Sequence, residues 1–181
     1  MLYFQTTNIH KFNEAKEILA DHDIIIKHVP QEYVEIQGDT LENVVLSALS
    51  SNPEENLFIE DAGLFIEALK GFPGVYSSYV WDTLGNHGVL KLIQGLDNRD
   101  AEFVSIVGLK HKDGVKLFKG VVRGSISLEP KGEFGFGYDP IFIPQGSEKT
   151  FAEDILLKKE ISHRRKALEK LAQYVRKGEF E

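Results

Sequence analysis

Strand-like and helix-like segments alternate along the first 60 residues, and this order constrains the fold more than any other feature of the chain. Residues 2–7 and 24–29 are apolar and rich in β-favouring side chains, which predicts a strand in each. Residues 11–20 lie between them and repeat apolar side chains at the spacing of one helix face. This alternation predicts an α/β fold.

A second helix and a third strand are predicted next. Asp39 can cap a helix that runs to about residue 49, and Glu42 stands three residues later, as in a capping box. Residues 57–60 form a short apolar run that suits a buried strand. Residues 64–69 are either a continuation of this strand or a further short one.

The second half of the chain changes the order. Residues 87–94 predict a helix, and residues 101–111 and 115–128 predict two long strands joined by a hairpin at Asp113-Gly114. Residues 161–177 predict an amphipathic C-terminal helix. We find no repeat or linker and predict one domain over all 181 residues, with a mixed central sheet flanked by helices. The hairpin either forms a second lobe or extends the sheet.

Composition and charge exclude several kinds of site. The chain has no cysteine, which rules out thiolate zinc sites and cysteine nucleophiles. The net charge of −7 disfavours a nucleic acid partner, because binding its backbone usually needs a basic face. No apolar run approaches the roughly 20 residues that span a bilayer, and no signal peptide is visible. We therefore expect a cytoplasmic protein without a membrane partner.

The segment from Thr6 to Lys11 follows a predicted strand and begins a helix. Its members Thr6, Thr7, Asn8 and Lys11 offer two hydroxyls, an amide and an ammonium beside the amides of a helix start, which suits phosphate binding. The pattern is not a P-loop. The alternative is an ordinary helix cap by Thr7 or Asn8.

Two adjacent carboxylates, Glu60 and Asp61, follow the third predicted strand and precede Gly63. Carboxylates are preferred ligands of magnesium, and an ionised aspartate can also activate water. Glu35 is a candidate distant partner of Asp61 at such a metal. The alternative is a polar turn around the glycine.

A glycine-rich aromatic segment, residues 132–144, reads as a loop and contains Phe136, Gly137, Tyr138 and Asp139. Glycines allow close approach of backbone to a ligand, and aromatic rings offer a surface for stacking a base. Asp139 could accept hydrogen bonds from the edge of the base. The alternative is an aromatic loop that only packs in the core.

A basic segment, residues 158–166, contrasts with residues 32–60, which carry acidic residues and no Lys or Arg. Lys158 and Arg164 are suited to anions, and His163 could donate to a carbonyl on a base. Lys158 and Ser162 share a helix face if one helix runs through both. The alternative is a solvated basic helix start.

These segments, in this order, resemble the inosine triphosphatase family. The resemblance runs from Thr6 to about Leu168 and is strongest in EDAGLFIEALKGFPGVYS at residues 60–77 and GFGYDPIFIP at residues 135–144. It continues in TFAE and SHRRKAL between residues 150 and 168. Together, with consistent spacing, these elements are highly specific.

The resemblance implies hydrolysis of purine nucleoside triphosphates such as ITP, dITP and XTP to the monophosphate and pyrophosphate. It implies a cleft between two lobes, dependence on Mg²⁺ and a homodimer. Asp61 would be the catalytic proton acceptor and would hold the metal with Glu35, and Glu60 is a further candidate ligand. Substrate contacts are implied for these residues: Thr6, Thr7, Asn8, Lys11, Ala62, Phe136, Gly137, Tyr138, Asp139, Lys158, His163 and Arg164.

The sequence departs from the family pattern at Ala62, at Ile9-His10 and at Lys159, and two other interpretations stay open. Ala62 stands where the family usually has serine, which removes one hydroxyl contact. A pyrophosphatase for modified pyrimidine nucleotides would keep the carboxylates but differ around Tyr138 and His163. A non-catalytic nucleotide-binding module is the other interpretation, against which the combination of Asp61, Glu35 and Lys11 argues.

Overall fold

The computed structural model describes residues 1–33, 36, 38–50 and 52–178. Its strands are β1 Leu2–Gln5, β2 Ile26–Val29, β3 Leu57–Ile66, β4 Asp100–His111, β5 Gly114–Ile126 and β6 Phe142–Pro144. Its α-helices are α1 Ile9–Ala20, α2 Leu41–Ser50, α3 Ser77–Thr83, α4 Gly85–Leu92, α5 Ile155–Ile161 and α6 His163–Arg176. Short 3₁₀ turns lie at Glu67–Leu69, Gly74–Tyr76 and Asp139–Ile141.

The strands form one six-stranded mixed sheet in the order β2-β1-β3-β4-β5-β6. Strand β1 pairs in parallel with both β2 and β3, with Phe4 opposite His28 and Phe58. Strand β6 pairs antiparallel with β5 at the other end of the sheet order, with Ser125 opposite Ile143. The predicted α/β class with a mixed sheet and flanking helices is therefore confirmed.

The chain divides into two compact units. The first unit comprises Met1–Asp61, Ser105–Gly120 and Arg164–Glu181, and the second comprises Ala62–Val104 and Val121–His163. Consequently β3 passes from one unit to the other after Asp61. Each unit has its own hydrophobic core.

The first unit is built around β1, β2 and the helices α1 and α6. Phe4 stacks on Phe58 with ring centroids 4.4 Å apart. Apolar residues at helical spacing on α1 and α6 bury their faces in the same core, as the sequence period predicts. The buried members are Leu2, Phe4, Ala15, Ile18, Leu19, Ile26, Phe58, Val107, Leu109, Phe118, Ala167, Leu168, Leu171 and Ala172.

The second unit has an aromatic core. Phe142 packs against Phe103 at 4.6 Å and against Phe151 at 5.3 Å between ring centroids. The buried members are Leu64, Ile66, Val80, Val89, Ile93, Ala101, Phe103, Val122, Ile126, Tyr138, Ile141, Phe142 and Phe151. This core fixes the segment before β6, because Tyr138 and Ile141 are both among its members.

Several boundaries differ from the sequence prediction. The cap of α2 is made by Thr40, whose Oγ1 accepts from the Asn43 N–H at 3.1 Å, and not by Asp39. Of the two alternatives for residues 64–69, continuation of β3 is correct for residues 64–66, and a 3₁₀ turn follows at Glu67–Leu69. The predicted loop at residues 132–144 ends in strand β6, because these apolar residues pair with β5.

The C-terminal helical region also differs from the prediction. Helix α5 ends at Ile161, and α6 begins at His163. Ser162 between them has an extended ψ of 154°, so one continuous helix does not run through both. Across the described part of the chain, no helix is long and apolar enough to cross a membrane.

Candidate functional site

The segment from Thr6 to Lys11 joins β1 to α1, as the sequence predicts. Asn8 caps the helix, since its Oδ1 accepts from the N–H groups of His10 at 3.0 Å and Lys11 at 3.2 Å. The Asn8 N–H in turn donates to the Thr6 hydroxyl oxygen at 3.1 Å. Thr7 is exposed. The cap interpretation is therefore correct for Asn8, whose side-chain oxygen occupies the amides of His10 and Lys11 at the helix start.

Buried and partly buried polar side chains hold this loop in place. Gln5, at the end of β1, donates to the carbonyl oxygens of residues 31 and 32 at 3.3 and 3.2 Å. Asn52 donates to Gln5 Oε1 at 3.0 Å. The His28 ring Nε2 lies 2.8 Å from the Thr6 carbonyl oxygen. These contacts fix the backbone from which Thr6 and Lys11 project.

Glu60 lies at the centre of a buried charged cluster in the first unit. Its side chain is 0% exposed, and its Oε2 lies 3.0 Å from Lys11 Nζ. Lys11 Nζ also donates to the Glu60 carbonyl oxygen at 3.2 Å. The Ser105 hydroxyl donates to Oε1 at 2.7 Å, and Arg164 Nη2 lies 3.3 Å from the same oxygen.

Arg164 is almost completely buried at the start of α6, with its side chain 2% exposed. Its Nη1 lies 2.5 Å from Glu14 Oε2, on α1, in addition to the contact with Glu60. Burial by itself lowers the pKa of Arg164, but the two carboxylates more than offset this and raise the pKa above its ordinary value. The guanidinium is therefore a fixed positive charge. Its burial is tolerated because it is paired with the carboxylates of Glu14 and Glu60.

Asp61 follows Glu60 on β3 and is partly exposed. Neighbouring side chains on a strand point to opposite faces, which accounts for the difference from the buried Glu60. Ala62 is the first residue of the second unit. Glu35 lies outside the described residues. Among the residues that the structure describes, no group of three or more His, Asp or Glu side chains could hold a metal ion.

The second unit brings together three of the predicted substrate-binding residues. Lys158, on α5, places its Nζ 2.7 Å from Asp139 Oδ2. The same carboxylate oxygen accepts from the Phe136 N–H at 2.8 Å. Lys158 Nζ also lies 4.5 Å from the centroid of the Phe136 ring, within the range of a cation–π contact.

The glycines of this segment have different roles. Gly135 has φ +74°, and a Cβ at this position would lie 2.1 Å from Asp139 Oδ2. Gly137 has φ +62°, with nothing within 4 Å of a built Cβ. Its carbonyl oxygen accepts from Asn86 Nδ2 at 3.1 Å. Gly135 is thus required both for its backbone conformation and for the close approach of the carboxylate.

Tyr138 is buried, and its hydroxyl donates to the Ser77 carbonyl oxygen at 2.8 Å. Burial, and then the charge of Asp82, raise the pKa of Tyr138 above its ordinary value. The phenol thus stays protonated and ties the segment to α3. Its hydroxyl serves this tie, and its ring packs in the core of the second unit.

His163 is the last residue of the second unit and is buried. Its imidazole stacks on Phe103, with ring centroids 4.5 Å apart and an interplanar angle of 10°.

Asp154 caps helix α5 by accepting from the Leu157 N–H at 3.0 Å. This cap sets the helix that carries Lys158.

Sequence reasoning missed several residues that hold the predicted ones in place. Ser105 is the sole hydrogen-bonding side chain between Phe103 and Leu109, and such an isolated hydroxyl in an apolar strand is the signal that could have identified it. Glu14 and Asn86 carry no comparable signal, because polar residues on helices are usually solvated.

A family model described as the Ham1 family matches residues 2–174. A dITP/XTP pyrophosphatase of Methanopyrus kandleri is 51% identical over 176 residues, which cover 94% of each chain. A dITP/XTP pyrophosphatase of Pyrococcus horikoshii is 48% identical and is matched over 97% of this chain and 96% of its own length.

Solved structures match the fold. The Staphylococcus aureus Ham1 protein superposes with a TM-score of 0.81 at 29% identity and covers 99% of this chain and all of its own. A HAM1 protein from Coxiella burnetii gives a TM-score of 0.81 at 32% identity, over 98% of this chain and 100% of that one.

Proposed function

The chain belongs to the Ham1 family, and we propose that it hydrolyses the non-standard purine nucleoside triphosphates ITP, dITP and XTP to the monophosphate and pyrophosphate. The observation that carries this proposal is the 51% identity, over nearly the full length of both chains, to a dITP/XTP pyrophosphatase. The two clusters described above support it, because one suits a triphosphate and the other suits a base.

The first unit supplies the groups for the triphosphate. Lys11 presents a partly exposed ammonium at the start of α1, where the helix dipole also favours negative charge. A triphosphate carries several negative charges, so positive charge at this position lowers the cost of bringing it to the carboxylate of Asp61.

Asp61 is the proposed proton acceptor. A water oriented by its carboxylate attacks the α-phosphorus, the bond to the bridging oxygen breaks, and pyrophosphate leaves. Carboxylate oxygens are the ligands that Mg²⁺ prefers, so Asp61 and Glu35 are the residues that would hold it. When bound, Mg²⁺ would neutralise negative charge on the phosphates.

The second unit supplies the groups for the base. The Phe136 ring offers a stacking surface, and Lys158 and His163 offer donors for a 6-oxo group on the purine. Adenine has an amino donor at that position, and leaving a buried donor without an acceptor costs about 1–3 kcal/mol. This difference favours inosine and xanthine over adenine.

We also propose a homodimer that acts in the cytoplasm on the nucleotide pool. The second unit exposes several large apolar side chains close together in the sequence, Tyr76, Tyr79, Trp81 and Leu84. Aromatic residues are enriched at the cores of protein interfaces. Sedimentation should give a dimer for the wild type and a monomer for Tyr79→Asp, and a monomeric wild type would contradict the proposed dimer. Fractionation of cells tests the proposed location in the cytoplasm.

The decisive experiment measures pyrophosphate release from ITP, XTP, GTP and ATP, with Mg²⁺ and with a chelator. We expect fast, Mg²⁺-dependent release from ITP and XTP, slow release from ATP, and no release by an Asp61→Asn variant of unchanged stability. Release of orthophosphate, or equal rates for all bases, would assign the chain to another class of nucleotide hydrolase. No release from any nucleotide would indicate a binding module.

A further inference from the structure

From the contacts of the buried cluster, we infer that Glu60 is not a metal ligand but the positioning residue that, oriented by Ser105, holds the Lys11 ammonium and the Arg164 guanidinium in place. This inference rests on the proposed function, since Lys11 is placed there at the triphosphate. It separates the roles of the two adjacent carboxylates, Glu60 and Asp61, which the sequence does not distinguish.

The contacts of its two oxygens argue against a metal on Glu60. Oε1 accepts from the Ser105 hydroxyl at 2.7 Å and lies 3.3 Å from Arg164 Nη2. Oε2 lies 3.0 Å from Lys11 Nζ and 3.5 Å from Arg164 Nη2. A carboxylate has about four lone-pair positions, and three donor atoms, of which Arg164 Nη2 faces both oxygens, already surround it.

Magnesium would also need space that the cluster does not offer. Mg²⁺ requires ligands at about 2 Å and normally keeps several waters. The Glu60 side chain is 0% exposed, and Lys11 and Arg164 would repel a third cation beside it. Asp61 is partly exposed and so remains the better candidate ligand of the pair.

The charges of the cluster balance. Lys11 and Arg164 carry two positive charges, and Glu60 and Glu14 carry two negative ones. Glu60 is the member that contacts both cations, so it links α1, β3 and α6. Buried ions are tolerated when paired and hydrogen-bonded, and removing the shared member leaves two cations with one carboxylate.

Ser105 sets the direction of the carboxylate. It lies in the apolar part of β4, is 0% exposed, and donates to Oε1. With Oε1 held in this way, Oε2 is directed to Lys11, whose Nζ is also held by the Glu60 carbonyl oxygen at 3.2 Å. The ammonium is thus fixed before a ligand arrives, which reduces the entropy lost on binding.

The test measures binding of inorganic tripolyphosphate by calorimetry, in the presence of a chelator, to the wild type and its variants. We expect Glu60→Gln to weaken this metal-free binding by about tenfold, and Ser105→Ala by about threefold to tenfold. Ser105→Thr should restore most of the affinity because it keeps the hydroxyl. The combination Glu60→Gln with Lys11→Ala should bind no more weakly than Lys11→Ala alone, because Glu60 acts through Lys11.

A matched control is Glu42→Gln, which removes the carboxylate that pairs with Lys119 at 3.0 Å on the exposed surface and should leave binding unchanged. Unchanged or tighter tripolyphosphate binding in Glu60→Gln would overturn the inference. If Glu60 had no positioning role, removing its negative charge would improve the binding of an anion. The inference would also be overturned if the wild type bound no tripolyphosphate in the absence of metal.

A second measurement keeps the result independent of turnover. Mn²⁺ binding, followed by electron paramagnetic resonance without nucleotide, should be equal in Glu60→Gln and the wild type and weaker in Asp61→Asn. Weaker Mn²⁺ binding in Glu60→Gln would make it a metal ligand and overturn the inference. Failure of the proposed function would appear instead as absent pyrophosphate release by the wild type, while both binding results stand.

Discussion

Lys158 Nζ lies 2.7 Å from Asp139 Oδ2, and both side chains are only 3% exposed. Helix α5 and the segment before β6 are thus joined by a buried ion pair that also receives the Phe136 N–H. All three residues are predicted to bind the substrate, so experiments must separate two functions of the ion pair, holding the segment and binding the ligand.

Lys158→Met should destabilise the fold strongly. It leaves the Asp139 carboxylate buried without its cation, and loss of one partner of a buried pair costs about 3–5 kcal/mol. The double variant Lys158→Met, Asp139→Asn should recover part of this loss, because no charge is then left buried. Urea denaturation of the four proteins in this double-mutant cycle provides the measurement. Additive losses would contradict the pairing.

Gly135→Ala and Gly137→Ala should differ although both glycines have a positive φ. At Gly137 the new methyl meets nothing within 4 Å, so the cost is that of the left-handed conformation, about 1–2 kcal/mol. At Gly135 the methyl would also displace the Asp139 carboxylate. We expect a larger loss of stability and a raised KM for ITP in Gly135→Ala. Equal behaviour would show that the carboxylate is not fixed there.

Asn8→Ala should remove the cap of α1 and cost about 1 kcal/mol of stability. Asn8→Asp keeps an acceptor oxygen at this position, so it should retain most of the stability. Its negative charge should nevertheless raise the KM for the triphosphate if the loop binds phosphate. Thermal unfolding and steady-state kinetics separate these effects. Wild-type stability in Asn8→Ala would contradict the cap.

Tyr138→Phe should show a pH-dependent cost. The pKa of Tyr138 is raised above 10, so the folded state holds the phenol proton more tightly than the unfolded state. The stabilisation is complete below pH 10 and is lost as the pH rises towards the folded-state value. The difference in stability between wild type and Tyr138→Phe should thus be constant at neutral pH and narrow as the pH rises above about 10, the ordinary pKa of tyrosine, in urea titrations. A constant difference would argue against the shift.

The sequence predicted the order of the main elements because each depends on a local period or a local break. The apolar repeats of α1 and α6 and the turn after His111 are examples. The prediction missed β6 and the separation of α5 from α6. Strand β6 depends on a partner far away in the chain, since residues 142–144 become a strand only by pairing with β5.

In the candidate site, too, the residue types could be predicted from local sequence, whereas the contacts between distant residues could not. Lys11, Asp61, Asp139 and Lys158 stand in motifs whose residue types already indicate phosphate, metal and base chemistry. Which of them meet is not encoded in any motif. The ion pair of Lys158 joins residues 19 positions apart, and the contact of Arg164 with Glu60 spans 104 positions.

The sequence by itself determined the fold class, the helix faces and the residue types available for nucleotide chemistry, because periodicity, capping and side-chain chemistry are local properties. Only the tertiary structure decided that Glu60 is buried between two cations while Asp61 stays partly exposed. The physical reason is that burial and pairing depend on what other segments bring to a strand, and Ser105, Glu14 and Arg164 come from three of them.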